Sequence, residues 1–195
     1  MKIFNLYETG GISVEDPGLK DYINLDEKLI LKSHGRAREK FGKAKVNVIE
    51  RLINLVAVPG HRGKKHKIIT GRSSGKYTKN AKIVLEALKI IEKKTEKNPV
   101  QVLVKAIENT SQRDEITVIE YGGARYPQAV DTSPLRRVNL VLRNMVHGAY
   151  DNSFNKKTKI EEALAKEIIL ASENSNESFA FKKKNEAEKQ ADSAR

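Results

Sequence analysis

The 195-residue chain has no cysteine, no tryptophan, five prolines and two methionines. Without cysteine it can form neither disulfides nor Cys-based zinc sites, which fits a reducing compartment. Acid is also in short supply: 25 Asp and Glu stand against 37 Lys and Arg, a net charge of +12 and a pI near 9.7. Such a balance points to an acidic partner, nucleic acid first and an anionic membrane second, with a merely basic soluble protein as the plain alternative. No apolar run approaches the ~20 residues that a membrane helix needs, and no apolar signal core follows Lys2. The expectation is a cytoplasmic protein with no membrane partner. At 38% hydrophobic and 32% charged, the chain can bury one modest core beneath much solvated surface.

The machinery of catalysis is missing as well. Gly71-Arg72-Ser73-Ser74-Gly75-Lys76 superficially resembles a nucleotide-binding loop. That loop requires four residues between its glycines and Ser or Thr after the lysine, whereas three intervene here and Tyr77 follows. His61 and His66 lie among lysines without carboxylate help, so a metal site there is not expected. Asp114, Glu115 and Glu120 make no acid–base pair that a pocket would frame. The expectation is no catalytic residue, no metal and no cofactor.

Helical periodicity dominates what is present. Val46, Ile49, Leu52, Ile53 and Val56 predict a helix over 45–57 that Pro59-Gly60 ends. Asn80 is the expected cap of a second helix, with Val84, Leu85, Leu88 and Ile91 on its buried face. Asn98-Pro99 is a strong start for a third, since Asn caps and Pro suits the first helical position. A β-prone run over 115–121 leads into Gly122-Gly123, where two glycines permit the positive φ of a tight turn. The run after it contains Pro127, so the ribbon is expected at an edge or protruding. Ser133-Pro134 opens a helix expected to stop near Gly148, and Thr158 with Glu161 reads as a capping box for the next. The C-terminal run SFAFKKKNEAEKQADSAR looks helical but carries too few apolar residues to join the core. The fold expected from these elements is mainly α: a mostly helical domain with one β-hairpin and an extended basic arm and loop. Its regions are an arm with a basic segment (1–44), a helical RNA-binding domain (45–175, hairpin near 115–130) and a polar helical tail (176–195).

Basic residues fall in groups. Residues 32–45 hold six Lys or Arg and His34 against one acid, Glu39, and nominate Arg36, Arg38 and Lys40. From Arg51 through Leu85 there is no acid at all. Arg62, Lys64, Lys65, Lys67, Arg72, Lys76, Lys79 and Lys82 crowd a glycine-rich stretch there. That stretch is either a disordered linker or, the favoured reading, a segment that orders on a polyphosphate while releasing counterions. Arg125 and Tyr126 follow the paired glycines, and Arg136, Arg137 and Arg143 follow Ser133-Pro134. Arg136 and Arg143, seven residues apart, share roughly one helical face. Guanidinium forks match phosphate geometry. Lys182, Lys183 and Lys184 form the last group. Each stripe and charge run also has a plain structural reading, as core packing or a solvated face.

NPVQVLVKAIENT (98–110), YGGARYPQAV (121–130), SPLRRVNLVLR (133–143) and SFNKKTKIEEALAKEIILA (153–171) together resemble the archaeal form of the small-subunit ribosomal protein seven family, as does PGHRGKKHKI. The likeness runs in order from about residue 45 onward. It implies a bundle of about six helices with a protruding β-hairpin, binding to the 3′ major domain of small-subunit ribosomal RNA, nucleation of head assembly, and a place at the exit site near messenger and transfer RNA. It also implies contact with ribosomal proteins nine and eleven. Where bacterial members carry basic residues before the paired glycines, this chain has Ile119, Glu120 and Tyr121, so a more shape-based hairpin grip is expected. The reading is a non-enzymatic RNA-binding protein of the small subunit. Its rivals are an RNA-binding assembly factor or RNA-modifying enzyme, a DNA-binding architectural protein, and a polybasic membrane-surface protein.

Overall fold

Apolar residues at helical spacing need a common surface to face, and in the computed structural model they find it in one hydrophobic cluster. The structure describes residues 2–28, 31–33, 39–60 and 73–195. Its elements are α1 (Pro17–Lys20), a 3₁₀ turn (Gly42–Lys45), α2 (Val48–Val56), α3 (Tyr77–Thr95) and α4 (Pro99–Thr110). Then come β1 (Asp114–Tyr121), β2 (Ala124–Asp131), α5 (Pro134–Ser153), α6 (Ile160–Ser172) and α7 (Phe179–Asp192). The mainly α fold with one antiparallel hairpin is as expected, with a seventh helix because the arm contributes the single turn of α1.

The expected stripes are the core. Leu52, Ile53, Leu88, Ile91, Leu103, Leu142 and Ile168 are fully buried, and each such side chain is worth about 1.5–3 kcal/mol over an exposed one. The arm adds Ile3, Leu19 and Leu31 to the same cluster. It is tied down by Arg51 Nη1 donating to the Tyr22 carbonyl at 2.9 Å and by Asn47 Nδ2 donating to the Asp26 carbonyl at 2.9 Å.

Helix ends separate good signals from poor ones. Asn98 caps α4, its Oδ1 accepting from Val100 N at 3.0 Å. Asn80 does not cap α3; it is buried within the first turn, and its Nδ2 donates back to the Ser73 carbonyl at 3.0 Å. Thr158 and Glu161 form no capping box, because α6 begins one residue later with Lys159 at its cap and no side-chain cap bond. Gly148 does not stop α5, which runs on to Ser153. It is a packing glycine: a Cβ there would lie 2.6 Å from Phe179 Cβ and 3.1 Å from Glu167 Cδ. Only hydrogen lets α5, α6 and α7 meet at that point.

That meeting explains why the tail joins the body despite its polar sequence. Ala180 belongs to the core cluster and Ala191 is buried. Glu167, itself buried, accepts from Ser178 Oγ at 2.8 Å and Ala180 N at 3.0 Å. A carboxylate from α6 thus satisfies the otherwise unpaired amides opening α7.

Candidate nucleic-acid interface

The hairpin's register pairs Ile119 with Tyr126, Glu120 with Arg125 and Tyr121 with Ala124. Paired residues share a face and successive pairs alternate. Ile119, Tyr121 and Tyr126 therefore lie on one face, with Tyr121 82% exposed, and Glu120 and Arg125 lie on the other. Arg125 Nε is 3.6 Å from Glu120. Gly122 and Gly123 carry φ of 59° and 82°, values that L side chains resist.

At the start of α5 the arginines are spoken for. Arg136 Nε is 2.7 Å from a Glu115 oxygen. Arg137 points inward, its side chain 11% exposed. Its Nη2 donates to Asp16 Oδ2 and to Ser111 Oγ, each at 2.9 Å. That guanidinium joins the arm, the end of α4 and the start of α5, leaving little of it for a phosphate. The acids the sequence offers near the hairpin are ion-pair partners: Asp114 holds Arg195 at 2.5 Å, Glu115 holds Arg136, and Glu120 holds Arg125.

Two turns further along α5 the surroundings change. Arg143 is exposed and borders a depression of about 310 Å³ lined by Leu55, Val58, Val146 and His147. Two cations not singled out from sequence join it. Arg51 is buried, donating to the Tyr22 carbonyl and, at 3.1 Å, to Asn139 Oδ1. Its Nε has no partner among the described residues, and burial pulls its pKa down to about 10. It remains charged at neutral pH with no carboxylate beside it. Lys43, on the 3₁₀ turn, has its pKa lowered by burial first and then by Arg51 and Arg143. Lys43 thus sits within reach of two arginine charges, and no acid among the described residues pairs with any of the three, which makes a site of positive potential.

The turn carrying Lys43 is unusual in its own right. Phe41, at its cap, has φ 61° and ψ 4°. Non-glycine residues pay roughly 1–2 kcal/mol for this left-handed conformation. Gly42 N donates to the Glu39 carbonyl and Ala44 N to the Phe41 carbonyl, both at 2.9 Å. Asn24 Nδ2 fixes the far end by donating to the Lys45 carbonyl at 2.7 Å. The ring itself is 61% exposed, with Lys40 Nζ 5.5 Å from its centroid.

The remaining nominated residues are scattered. Lys76 and Lys79 are exposed at the start of α3. Lys182 is exposed on α7, whereas Lys183 pairs with Glu186 at 2.5 Å and Lys184 Nζ donates to the Asn109 carbonyl at 2.9 Å. Arg36, Arg38, Arg62, Lys64, Lys65, Lys67 and Arg72 lie outside the described residues. At the other end of α5 a depression of about 400 Å³ collects Lys94, Lys156 and Lys166, none of them nominated from sequence. Among the described residues no cluster of His, Asp or Glu could hold a metal, and no helix is long and apolar enough to cross a membrane.

A family model described as ribosomal protein S7p/S5e matches residues 20–195. The chain is 53% identical over 196 residues to "Small ribosomal subunit protein uS7" of Nanoarchaeum equitans, covering 100% of this chain and 99% of that protein. The protein of the same name from Methanothermobacter thermautotrophicus is 48% identical over 193 residues, covering 98% of each chain. That from Archaeoglobus fulgidus is 45% identical over 194 residues, covering 99% of this chain and 94% of the relative.

Proposed function

Because the chain belongs to the ribosomal protein S7p/S5e family, structural proteins of the small ribosomal subunit rather than enzymes, we propose where and how it acts there. It binds the 3′ major domain of small-subunit ribosomal RNA, nucleates assembly of the head and remains in the head at the exit site. The α2–α5 face meets ribosomal RNA, with the basic stretches at 32–45 and 62–82 adding phosphate contacts. The hairpin reaches toward messenger and transfer RNA at the exit site, and ribosomal proteins nine and eleven are its protein neighbours.

The observation that carries this reading is the cluster of Lys43, Arg51 and Arg143. Assembling three cations without an acid opposes folding of the isolated chain, and a polyanion reverses that penalty on binding. The exposed apolar face of Ile119, Tyr121 and Tyr126 supports contact through shape rather than charge at the hairpin.

The test is binding of a fragment of the 3′ major domain across a salt series, with duplex DNA of equal length as competitor. The logarithm of affinity should fall with the logarithm of salt at about −0.7 per phosphate neutralised on unpaired RNA. The ribosomal fragment should outcompete the DNA at fixed salt. A slope near zero, or equal affinity for the two, overturns the reading. Crosslinking and mapping of the recovered RNA then decides the nucleotides.

A further inference from the structure

The 3₁₀ turn presents an aromatic ring that folding does not account for. Phe41 is the cap of that turn, held in the left-handed region and 61% exposed. Glycine would adopt that backbone without strain, and burying a phenyl ring is what ordinarily stabilises a fold. This position obtains neither benefit. The backbone on both sides is nonetheless pinned: Gly42 is buried, Ala44 N donates to the Phe41 carbonyl, and Asn24 anchors Lys45. A strained conformation that its surroundings enforce is a mark of a ligand site when chemistry nearby supports one.

The chemistry nearby does. Two residues along, burial disfavours the charged form of Lys43, and the charges of Arg51 and Arg143 disfavour it further. Arg51 is 2% exposed, meets no acid, and has a buried Nε without a partner among the described residues. The residues outside the described set, 1, 29–30, 34–38 and 61–72, include no Asp or Glu that could neutralise it. Lys40 Nζ lies over the Phe41 ring. An exposed aromatic ring beside Lys40, on the same turn as Lys43, offers what an unstacked nucleotide demands: a flat apolar face for the base and positive charge for its phosphate.

We propose that Phe41, Lys43, Arg51 and Arg143 form a site for a single unpaired nucleotide, Phe41 stacking on the base, Lys43 and Arg143 holding the adjoining phosphate and buried Arg51 adding positive charge. The inference rests on the ribosomal RNA reading and narrows it: this face selects a splayed-out base in a loop, bulge or junction, not the surface of a regular helix. Arg51 acts as a positioning charge, fixed by the Tyr22 carbonyl and Asn139. Lys43 and Arg143 are the contacting cations.

The chain has no tryptophan, so Phe41→Trp installs a single fluorophore at the stacking position. Its emission should be quenched by the 3′ major domain fragment and by a single-stranded oligonucleotide, and not by a blunt RNA duplex of equal length. Phe41→Leu, which keeps the backbone demand and removes the π face, should weaken binding of the fragment about tenfold, within the range for loss of one stacked base. Phe41→Tyr should restore it to within about twofold. Phe41→Leu should leave the salt slope unchanged, while Lys43→Ala should reduce it by about 0.7. Phe41→Gly relieves the strained backbone, so it should melt no lower than the wild type while binding as weakly as Phe41→Leu.

Equal affinity of Phe41→Leu and wild type, with no quenching in Phe41→Trp, overturns the site. So does equal quenching by the duplex, or a response to poly-glutamate without one to RNA. Each of these leaves the ribosomal RNA reading standing if the wild type still prefers the fragment to DNA. Loss of that preference overturns the reading itself.

Discussion

Arg137 and Arg143 sit six residues apart on one helix, read alike in sequence, and live in opposite surroundings. Arg137 is 11% exposed and bonded to Asp16 and Ser111. Arg136 and Arg125, at the same end of the fold, hold Glu115 and Glu120. Arg143 is exposed beside Lys43 and Arg51, and no acid among the described residues pairs with any of the three. Net charge therefore overstates what a polyanion can reach. Three of the four arginines nominated on the hairpin and α5 are held by acids, and the free positive potential lies where distant segments bring cations together without bringing acid.

The sharpest break of this contrast is at Arg137. Arg137→Ala removes charged hydrogen bonds to Asp16 and Ser111 and should cost about 2 kcal/mol, read as a fall in melting temperature. The folded variant should bind the ribosomal fragment as wild type does; a large affinity loss at unchanged stability would move Arg137 to the binding side.

Arg143→Ala is the mirror image. Being exposed, with no ion-pair partner among the described residues, it should change stability by no more than ~0.5 kcal/mol. Its salt slope should shrink by about 0.7 and its affinity should drop. Binding titrations in parallel with thermal melts separate the two arginines directly.

Between them lies Arg136, half-exposed against a more buried Glu115. A double-mutant cycle of Arg136→Ala and Glu115→Ala should return about 0.2–1 kcal/mol. A value near zero would free Arg136 to be counted with Arg143.

The smallest effect concerns the polar docking of α7. Burial raises the Glu167 carboxyl above its usual range, against the lowering pull of its bonds from Ala180 and Ser178. A raised folded value means the folded state binds the proton more tightly than the unfolded one. That contribution is fully present below the unfolded carboxylate range and is lost as pH rises through the folded value. Glu167→Gln mimics the protonated form. Its stability relative to wild type should therefore increase as pH rises from about 4 toward neutrality. Denaturant melts at several pH values check this, and a pH-independent difference would show that burial does not perturb the group.

Much of the fold was legible because periodicity and punctuation are local. The stripes of α2 and α3, the Asn98-Pro99 start and the Gly122-Gly123 turn depend on residues within a few positions of one another. The errors share one cause. Gly148 reads as a stop, yet it is the point where Phe179 and Glu167 close on α5. The tail reads as unattached, yet a carboxylate from α6 caps it. Asn80 reads as a cap, yet it ties the turn before α3. Each involves a partner that spacing within one helix does not reveal.

The candidate site divides the same way. Composition established a polycation, and the motifs from 98 to 171 established the family it resembles, because charge and motif are properties of the chain itself. Which cations remain available was decided in three dimensions. Asp16 reaches Arg137 across 121 residues, and Tyr22 and Asn139 enclose Arg51 between the arm and α5. A charge is worth what its neighbours and its solvent leave of it, and those neighbours are chosen by packing the apolar stripes, not by the order of the chain.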